Sequence, residues 1–423
     1  MRMSRCAVVL AVSLYMLLPA WPQQAGMVRY ENPLLGFSLL VRDEWLFFNG
    51  GAGNLDISMA ATVGGMAGDA HMWLYRMKRP PEQEASVLAR ELETLGGAKP
   101  QVGPTGRPGE WAVTMTSNGV RGPLVEQWLL RDEGGVRYGI AAMVRPQYVD
   151  ALKADIDAAT SSCHLIPTVA TTLFREPTET AYRITMPKGW QWKGKILRTP
   201  MIPGHCIWRA VSPAGTTAAL SNAPLFHNMQ VPYESAQQAA QGEVLDMIHG
   251  EVPDARLVAV RPEAPIANAV LNALTRLGVS RQPKCDVATA DYACTIAGVP
   301  CGIRFRIMTL MLEVYDIPDI LKRTGVVPQG DLGNWVTYSQ GGWAPVERFD
   351  QEYALARAVL ASFRADPAWV RKQRAATSQV IAGRNEATSE AAQRFDDYIR
   401  QSGSGPRGRD KQGNEHDVPS GPG

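Results

Sequence analysis

A surplus of charge of either sign is missing from this chain. Its 423 residues carry 43 Lys and Arg against 41 Asp and Glu, a formal net charge of +2. Two of the cations, Arg2 and Arg5, stand in the leader, so a mature chain beginning near residue 26 is close to neutral. Nucleic-acid binders carry a basic surplus clustered on one face, and this balance speaks against that class. Charged residues are 20% and hydrophobic residues 45%, too little charge and too much apolar surface for a wholly disordered chain.

Catalytic signatures are missing as well. No G-x-S-x-G elbow is present; "YSQGGW" at 338–343 lacks its spacing, and Ser339 reads as a strand or turn residue. The glycine-rich stretches "NGGAGN" (49–54) and "GGMAGD" (64–69) have no Walker lysine, so they read as turns rather than phosphate cradles. No membrane span is expected beyond the leader: the uncharged run "CAVVLAVSLYMLLPA" has the length of a signal-peptide core and is short for a crossing. Residues 1–25 are therefore expected to be a signal peptide, with an uncleaved anchor as the alternative. The mature chain is expected to be periplasmic or secreted.

An oxidising compartment makes disulfides the first expectation for the cysteines that remain after Cys6, namely Cys163, Cys206, Cys285, Cys294 and Cys301. Cys285, Cys294 and Cys301 are the leading candidates, with Cys206 as a fourth. The odd number leaves one thiol free or paired with another chain. Cys163-His164 and His205-Cys206 are mirrored dipeptides of good metal-ligand types. Neighbouring strand residues point to opposite faces, so no metal or cofactor is expected from them, and they stand as secondary site candidates. A Cys-His nucleophile needs a thiol of lowered pKa beside a histidine, which sequence adjacency does not supply.

What the chain does have is an internal echo. "FSLLVRDEW" (37–45) and "YRITMPKGW" (182–190) each alternate three inward apolar positions, Phe37, Leu39, Val41 and Tyr182, Ile184, Met186, and each ends on a tryptophan four residues later. Trp45, Trp190 and Trp192 read as core or edge packing. After each opening come further strands, a helical pattern, more strands and a closing helix, defining units 27–165 and 172–365. In the first, Leu88, Leu92 and Leu95 share a helical face; in the second, Phe349, Tyr353, Ala356, Leu360 and Phe363 form the closing stripe. A helical insertion near 264–278, with Ile266, Val270 and Leu274 at helical spacing, has no counterpart in the first unit. Asp366 and Pro367 open a polar C-terminal helix over 366–400, whose Arg371, Lys372 and Arg374 are diluted by later acids. Residues 401–423 are Gly, Pro and charge, and are expected to be a disordered tail.

The two openings, each heading a unit of antiparallel strands with one helix midway and another at the end, resemble the PsbP-like fold of photosystem II accessory proteins and many bacterial exported proteins. The stretch from "ASFRADPAWVRKQ" onward is similar to C-termini of secreted bacterial proteins of unknown function. The resemblance implies an α+β chain of two tandem PsbP-like α-β-α sandwich domains with antiparallel sheets. It implies accessory or binding modules without shared catalytic residues. The expected function is thus a non-catalytic binding or accessory protein of the bacterial cell envelope, its partner a protein or small ligand. The alternatives are a periplasmic enzyme with a Cys/His or metal-dependent site, and an assembly protein that self-associates through 366–399.

Overall fold

The computed structural model describes residues 27–42, 46–48, 55–61, 70–94, 98–119, 122–199, 202–222, 225–228, 233, 235–277, 283–315, 332–373, 375–376, 407–409 and 415–417. The leader, Trp45, Leu95, both glycine-rich stretches, Arg374 and most of the C-terminal helix and tail lie outside the described residues.

The chain is α+β, with six α-helices among the described residues and antiparallel strand pairing. Its first half runs β1 (Met27–Asn32), β2 (Phe37–Arg42), β3 (Leu46–Phe48), β4 (Leu55–Ala61), β5 (Ala70–Arg76), α1 (Pro81–Thr94) and β6 (Gln101–Pro104). It continues with β7 (Glu110–Gly119), β8 (Gly122–Glu133), β9 (Val136–Val144), α2 (Val149–Ser162) and β10 (His164–Leu165).

The second half opens with β11 (Thr171–Arg175), β12 (Tyr182–Pro187), β13 (Gln191–Thr199), β14 (Ile202–Val211), β15 (Ala218–Ser221) and β16 (Leu225–Asn228). Then follow α3 (Ala236–Gln241), α4 (Glu243–His249), β17 (Arg256–Pro262) and α5 (Ala264–Leu277). The half ends with β18 (Lys284–Ile296), β19 (Val299–Tyr315), β20 (Leu332–Pro345), α6 (Phe349–Ala361) and β21 (Arg364–Ala365).

Strand order corresponds between the halves. The first large sheet is β3-β4-β5-β9-β8-β7-β6 and the second is β13-β14-β15-β20-β19-β18-β17, with β16 added on β20. The small sheets are β1-β2-β10 and β11-β12-β21. The period-2 openings form β2 and β12 as the alternation requires: Phe37, Leu39, Val41, Tyr182, Ile184 and Met186 are all buried. Helices lie on both faces of each large sheet, because each face presents its own apolar cluster. In the first half α1 buries Ala85 and Leu92 against Val113, Met115 and Leu130, while Leu152 and Ile156 of α2 join the cluster containing Leu39, Ile140 and Val144.

In the second half, the same logic assigns α3 and α4 to Ala288, Ala290, Tyr292 and Phe305, and α6 to Trp208, Ala210, Tyr182 and Ile184. The Gly341-Gly342 pair of "YSQGGW" serves strand packing: a Cβ on Gly341 would stand 1.9 Å from the Arg304 carbonyl oxygen, and one on Gly342 2.0 Å from that of Ala218. Asp366 caps the next helix, its carboxylate accepting from the backbone N–H groups of Ala368 and Trp369 at 2.8 and 2.9 Å.

The inserted helix α5 goes to the junction between halves. Ile266, Val270 and Leu274 share one cluster with Tyr30, Leu39, Leu152 and Ile156 of the first half and with Val287, Met308 and Val336 of the second. Beside it, the Arg357 guanidinium of α6 lies 5.0 Å from the centre of the Tyr30 ring of β1. Arg306 pairs with Glu263 at 2.8 Å nearby, while Asp291 joins both Arg261 and Arg304. Residues 1–370 accordingly form one compact unit. Residues 371–423 form a second, in which β22 (Arg407–Arg409) pairs with β23 (Glu415–Asp417).

Because Leu274 is 1% exposed in a cluster that spans both halves, Leu274→Ala is expected to cost about 2–5 kcal/mol. Chemical denaturation followed by circular dichroism measures this; a cost under about 1 kcal/mol would mean that α5 is not a core element.

Candidate functional site

β14 is the strand from which the candidate site grows. Its alternation sends Cys206, Trp208 and Ala210 into the α6 side of the sheet, at 9%, 2% and 0% exposure. His205, Ile207, Arg209 and Val211 point to the other face and are only half-buried. On that face α3 packs over β17, β18 and β19, and α4 follows beside it with Val244 and Ile248 in the same cluster. Their cover stops short of β13 and β14. Gln191, Lys193 and Lys195 of β13 are exposed there.

The result is a trough beside α4, made of two adjoining cavities of about 320 and 560 Å³. Its floor is Ile207, Leu220, Ile303, Phe305 and Trp343, and its far wall is Met247, Ile248 and Val252. The Trp343 ring is fixed by a 2.9 Å hydrogen bond from Nε1 to the Gly215 carbonyl. Both cavities are lined by Lys193, Arg209, Glu251, Val252 and Trp343. Between them an ion pair joins Arg209 of β14 to Glu251, just past α4. Among the described residues the lining holds three cations, Lys193, Lys195 and Arg209, and one carboxylate, Glu251.

The sequence-derived candidates are dispersed. Cys163 sits in the junction cluster and Cys206 in the α6 cluster. His164 is exposed, with Nδ1 2.9 Å from the Ser162 carbonyl oxygen. Burial pushes the thiols of Cys163, Cys206 and Cys294 up to about 12, and those of Cys285 and Cys301 upward also. A thiol so raised is protonated at neutral pH and a poor nucleophile or metal ligand. Among the described residues no group of three or more His, Cys, Asp or Glu is placed to hold a metal ion. Ser339 is a buried strand residue that faces the Asn222 amide at 3.4 Å.

The expected disulfides are corrected: Cys163, Cys206, Cys285, Cys294 and Cys301 are all free thiols. Sheet geometry explains it. Cys206 faces the α6 side, whereas Cys294 and Cys301 face the α3–α4 side. Cys285 lies nine positions from Cys294 on the same strand and packs at the junction. Cys294 and Cys301 oppose each other across the β18–β19 ladder, but the Cys294 Sγ points to the Cys301 carbonyl at 3.6 Å and the Cys301 Sγ to that of Thr216 at 3.8 Å.

Trp192 stacks on Phe174 with ring centres 4.3 Å apart, and Trp190 packs against the α6 cluster. Sequence reasoning did not pick out Lys193, Lys195, Arg209, Glu251 or Trp343. The one local hint is "WKGKI" at 192–196, where two lysines share a strand face opposite Trp192 and Ile196.

No family model and no curated protein matches the chain. Solved structures give weak structural similarity. The cyanobacterial PsbP of Synechocystis sp. is 12% identical with a TM-score of 0.27, over 35% of this chain and 96% of that one. The T6SS immunity protein TplEi of Pseudomonas aeruginosa, solved with an "L" peptide, is 11% identical with a TM-score of 0.21, over 82% of this chain and 100% of that one. The Tle4–Tli4 complex gives 10%, 0.21, 82% and 99% respectively. Such TM-scores carry no argument about activity or partner. Among the described residues, no helix is long and apolar enough to cross a membrane, which says nothing about strands.

His205 supplies a pH test. Burial pulls its pKa down from 6.5 to about 4, so the folded state holds it neutral where the unfolded chain takes a proton. The unfolded state therefore binds more protons between these values, and stability falls as pH drops from about 6.5 toward about 4. His205→Gln is expected to remove that part of the slope, measured as the difference between the two proteins' unfolding midpoints across pH 4–7. Parallel curves would contradict it.

Proposed function

We propose that this chain is an exported, non-catalytic binding protein of the bacterial cell envelope, built from two tandem PsbP-like domains, that holds a partner protein in the trough over β13 and β14. The single observation that carries the reading is the unfinished helical layer: α3 and α4 cover one end of the second sheet and leave an apolar floor with a cationic rim at the other. Apolar pockets with a few convergent polar groups are where ligands are held. The matched strand orders of the two halves support the tandem reading, and the leader supports export.

Binding is favoured over catalysis by the chemistry present. The trough lining offers cations, one carboxylate and apolar walls, and the thiols and His205 are tuned away from nucleophilic or acid-base work at neutral pH. A protein partner is favoured over a small ligand by the shape: the trough is open along its length, from Gln191 and Thr295 to Lys195 and Asn222, rather than enclosed. Along β13, residues 191–195 span roughly 14–17 Å at about 3.4 Å per residue, room for an extended segment.

A photocrosslinking residue placed at Lys195 in the full chain is expected to capture a partner in the producing cell. The same residue placed at Val258, an exposed position on β17, is expected to capture none. Adding Ile207→Glu to the floor is expected to abolish the Lys195 product. Equal products from both positions, or a Lys195 product indifferent to Ile207→Glu, would reject the trough as the docking surface.

A further inference from the structure

We infer that the Arg209–Glu251 ion pair is a displaceable latch: Glu251 occupies the place of a ligand carboxylate, and an acidic segment of a partner protein joins the two chambers of the trough by taking over Arg209. The inference rests on the trough being the docking surface and adds which groups select the partner and what holds Arg209 while the site is empty.

The pair divides the trough. Arg209, Glu251 and Val252 line both cavities, so the bridge between strand and helix end is what separates the smaller chamber from the larger. The two members are held with unequal firmness. Arg209 projects from β14 where that strand is laddered to β13 on one side and to β15 on the other, and its side chain is 25% exposed. Glu251 sits on the turn after α4, where its backbone N–H donates to the Ile248 carbonyl at 2.9 Å, and its side chain is 48% exposed. An ion pair with so exposed a member holds weakly, because water competes for both groups. The carboxylate is the half that can swing out.

When it does, Arg209 joins Lys193 and Lys195 as three cations of the lining, with no other carboxylate among the described lining residues. Asp254, the nearest acid along the chain, is already engaged, its carboxylate accepting from the backbone N–H of Thr295 at 2.8 Å. A guanidinium presents paired donors that fit a carboxylate, so an incoming Asp or Glu side chain reproduces the bond that Glu251 gave up. What the partner adds is apolar contact with Ile207, Phe305 and Trp343, which Glu251 does not provide. The occupant is therefore a segment with an acidic residue flanking a large apolar one. A basic segment meets three like charges and is refused.

The test uses the full chain and three pools of nine-residue fluorescent peptides with a shared degenerate apolar centre and flanks of Glu, Gln or Lys, read by anisotropy. The Glu-flanked pool is expected to bind best. Glu251→Gln removes the internal competitor and is expected to tighten that pool about 2- to 5-fold while leaving the Gln-flanked pool unchanged. Arg209→Gln is expected to weaken the Glu-flanked pool at least about tenfold, and Lys195→Gln, on an exposed position, is expected to weaken it without touching the fold. Glu251→Gln having no effect, or an equal effect on Glu and Gln pools, overturns the latch. If pools bind and Ile207→Glu abolishes them while Glu251→Gln changes nothing, the trough stands and the latch alone fails. If no pool binds and the Lys195 crosslink is also absent, both fall together.

Discussion

The described part of the first 370 residues is joined by one core to which both halves contribute. Helix α5 is long and apolar on the face that carries Ile266, Val270 and Leu274, and it is buried only because the first half supplies Tyr30, Leu39, Leu152 and Ile156 as its partners. The second half contributes Val287, Met308 and Val336 to the same cluster. Burial of this kind stabilises by roughly 25 cal/mol for each Å² of apolar surface removed from water. Beside this apolar seam runs a polar one, in which Arg357 rests on Tyr30 and Arg306 on Glu263. Buried cations are costly unless each is met by a ring, a carboxylate or a carbonyl, so this belt fixes the alignment of the halves more than it adds stability.

That junction explains where the open surface lies. The second sheet has to serve three neighbours: α6 and the small sheet on one face, α5 and the first half at the junction, and α3 with α4 on the opposite face. The last two helices have six and seven residues, too short to span a sheet whose described strands number eight. The first is placed over β17 to β19, in one cluster with Ala288 and Ala290, and the second follows beside it. The strands farthest from them, β13 and β14, keep a half-buried face, and the lysines on β13 hold water there and discourage sheet-to-sheet pairing at that edge.

Much of this architecture was legible in the sequence, and the reason is local periodicity. Phe37, Leu39 and Val41, and again Tyr182, Ile184 and Met186, are spaced two apart because each strand buries one face, and the structure buries all six. Of the closing stripe Phe349, Tyr353, Ala356, Leu360 and Phe363, the last four are buried as the spacing implies, while Phe349 at the start of the helix is half-buried. The inserted helix could be seen in Ile266, Val270 and Leu274, but its destination could not, since nothing local says which apolar cluster a helix will complete. The site was illegible for the same reason. Arg209 and Glu251 are 42 residues apart, and Trp343 arrives from a strand more than 130 positions after Arg209. Only the order β14-β15-β20 brings these residues to one floor. The disulfide expectation failed on geometry too: compartment and count say that thiols can pair, while the sheet face decides whether they meet.

Native-state hydrogen exchange on the full chain tests the shared core most directly. The most protected amides of β2, in the first half, and of β19, in the second, are expected to exchange through the same opening, with one free energy and one denaturant dependence. Amides of β2 that exchange through a separate, smaller opening while β19 stays protected would show that the halves fold independently, and would contradict the shared core.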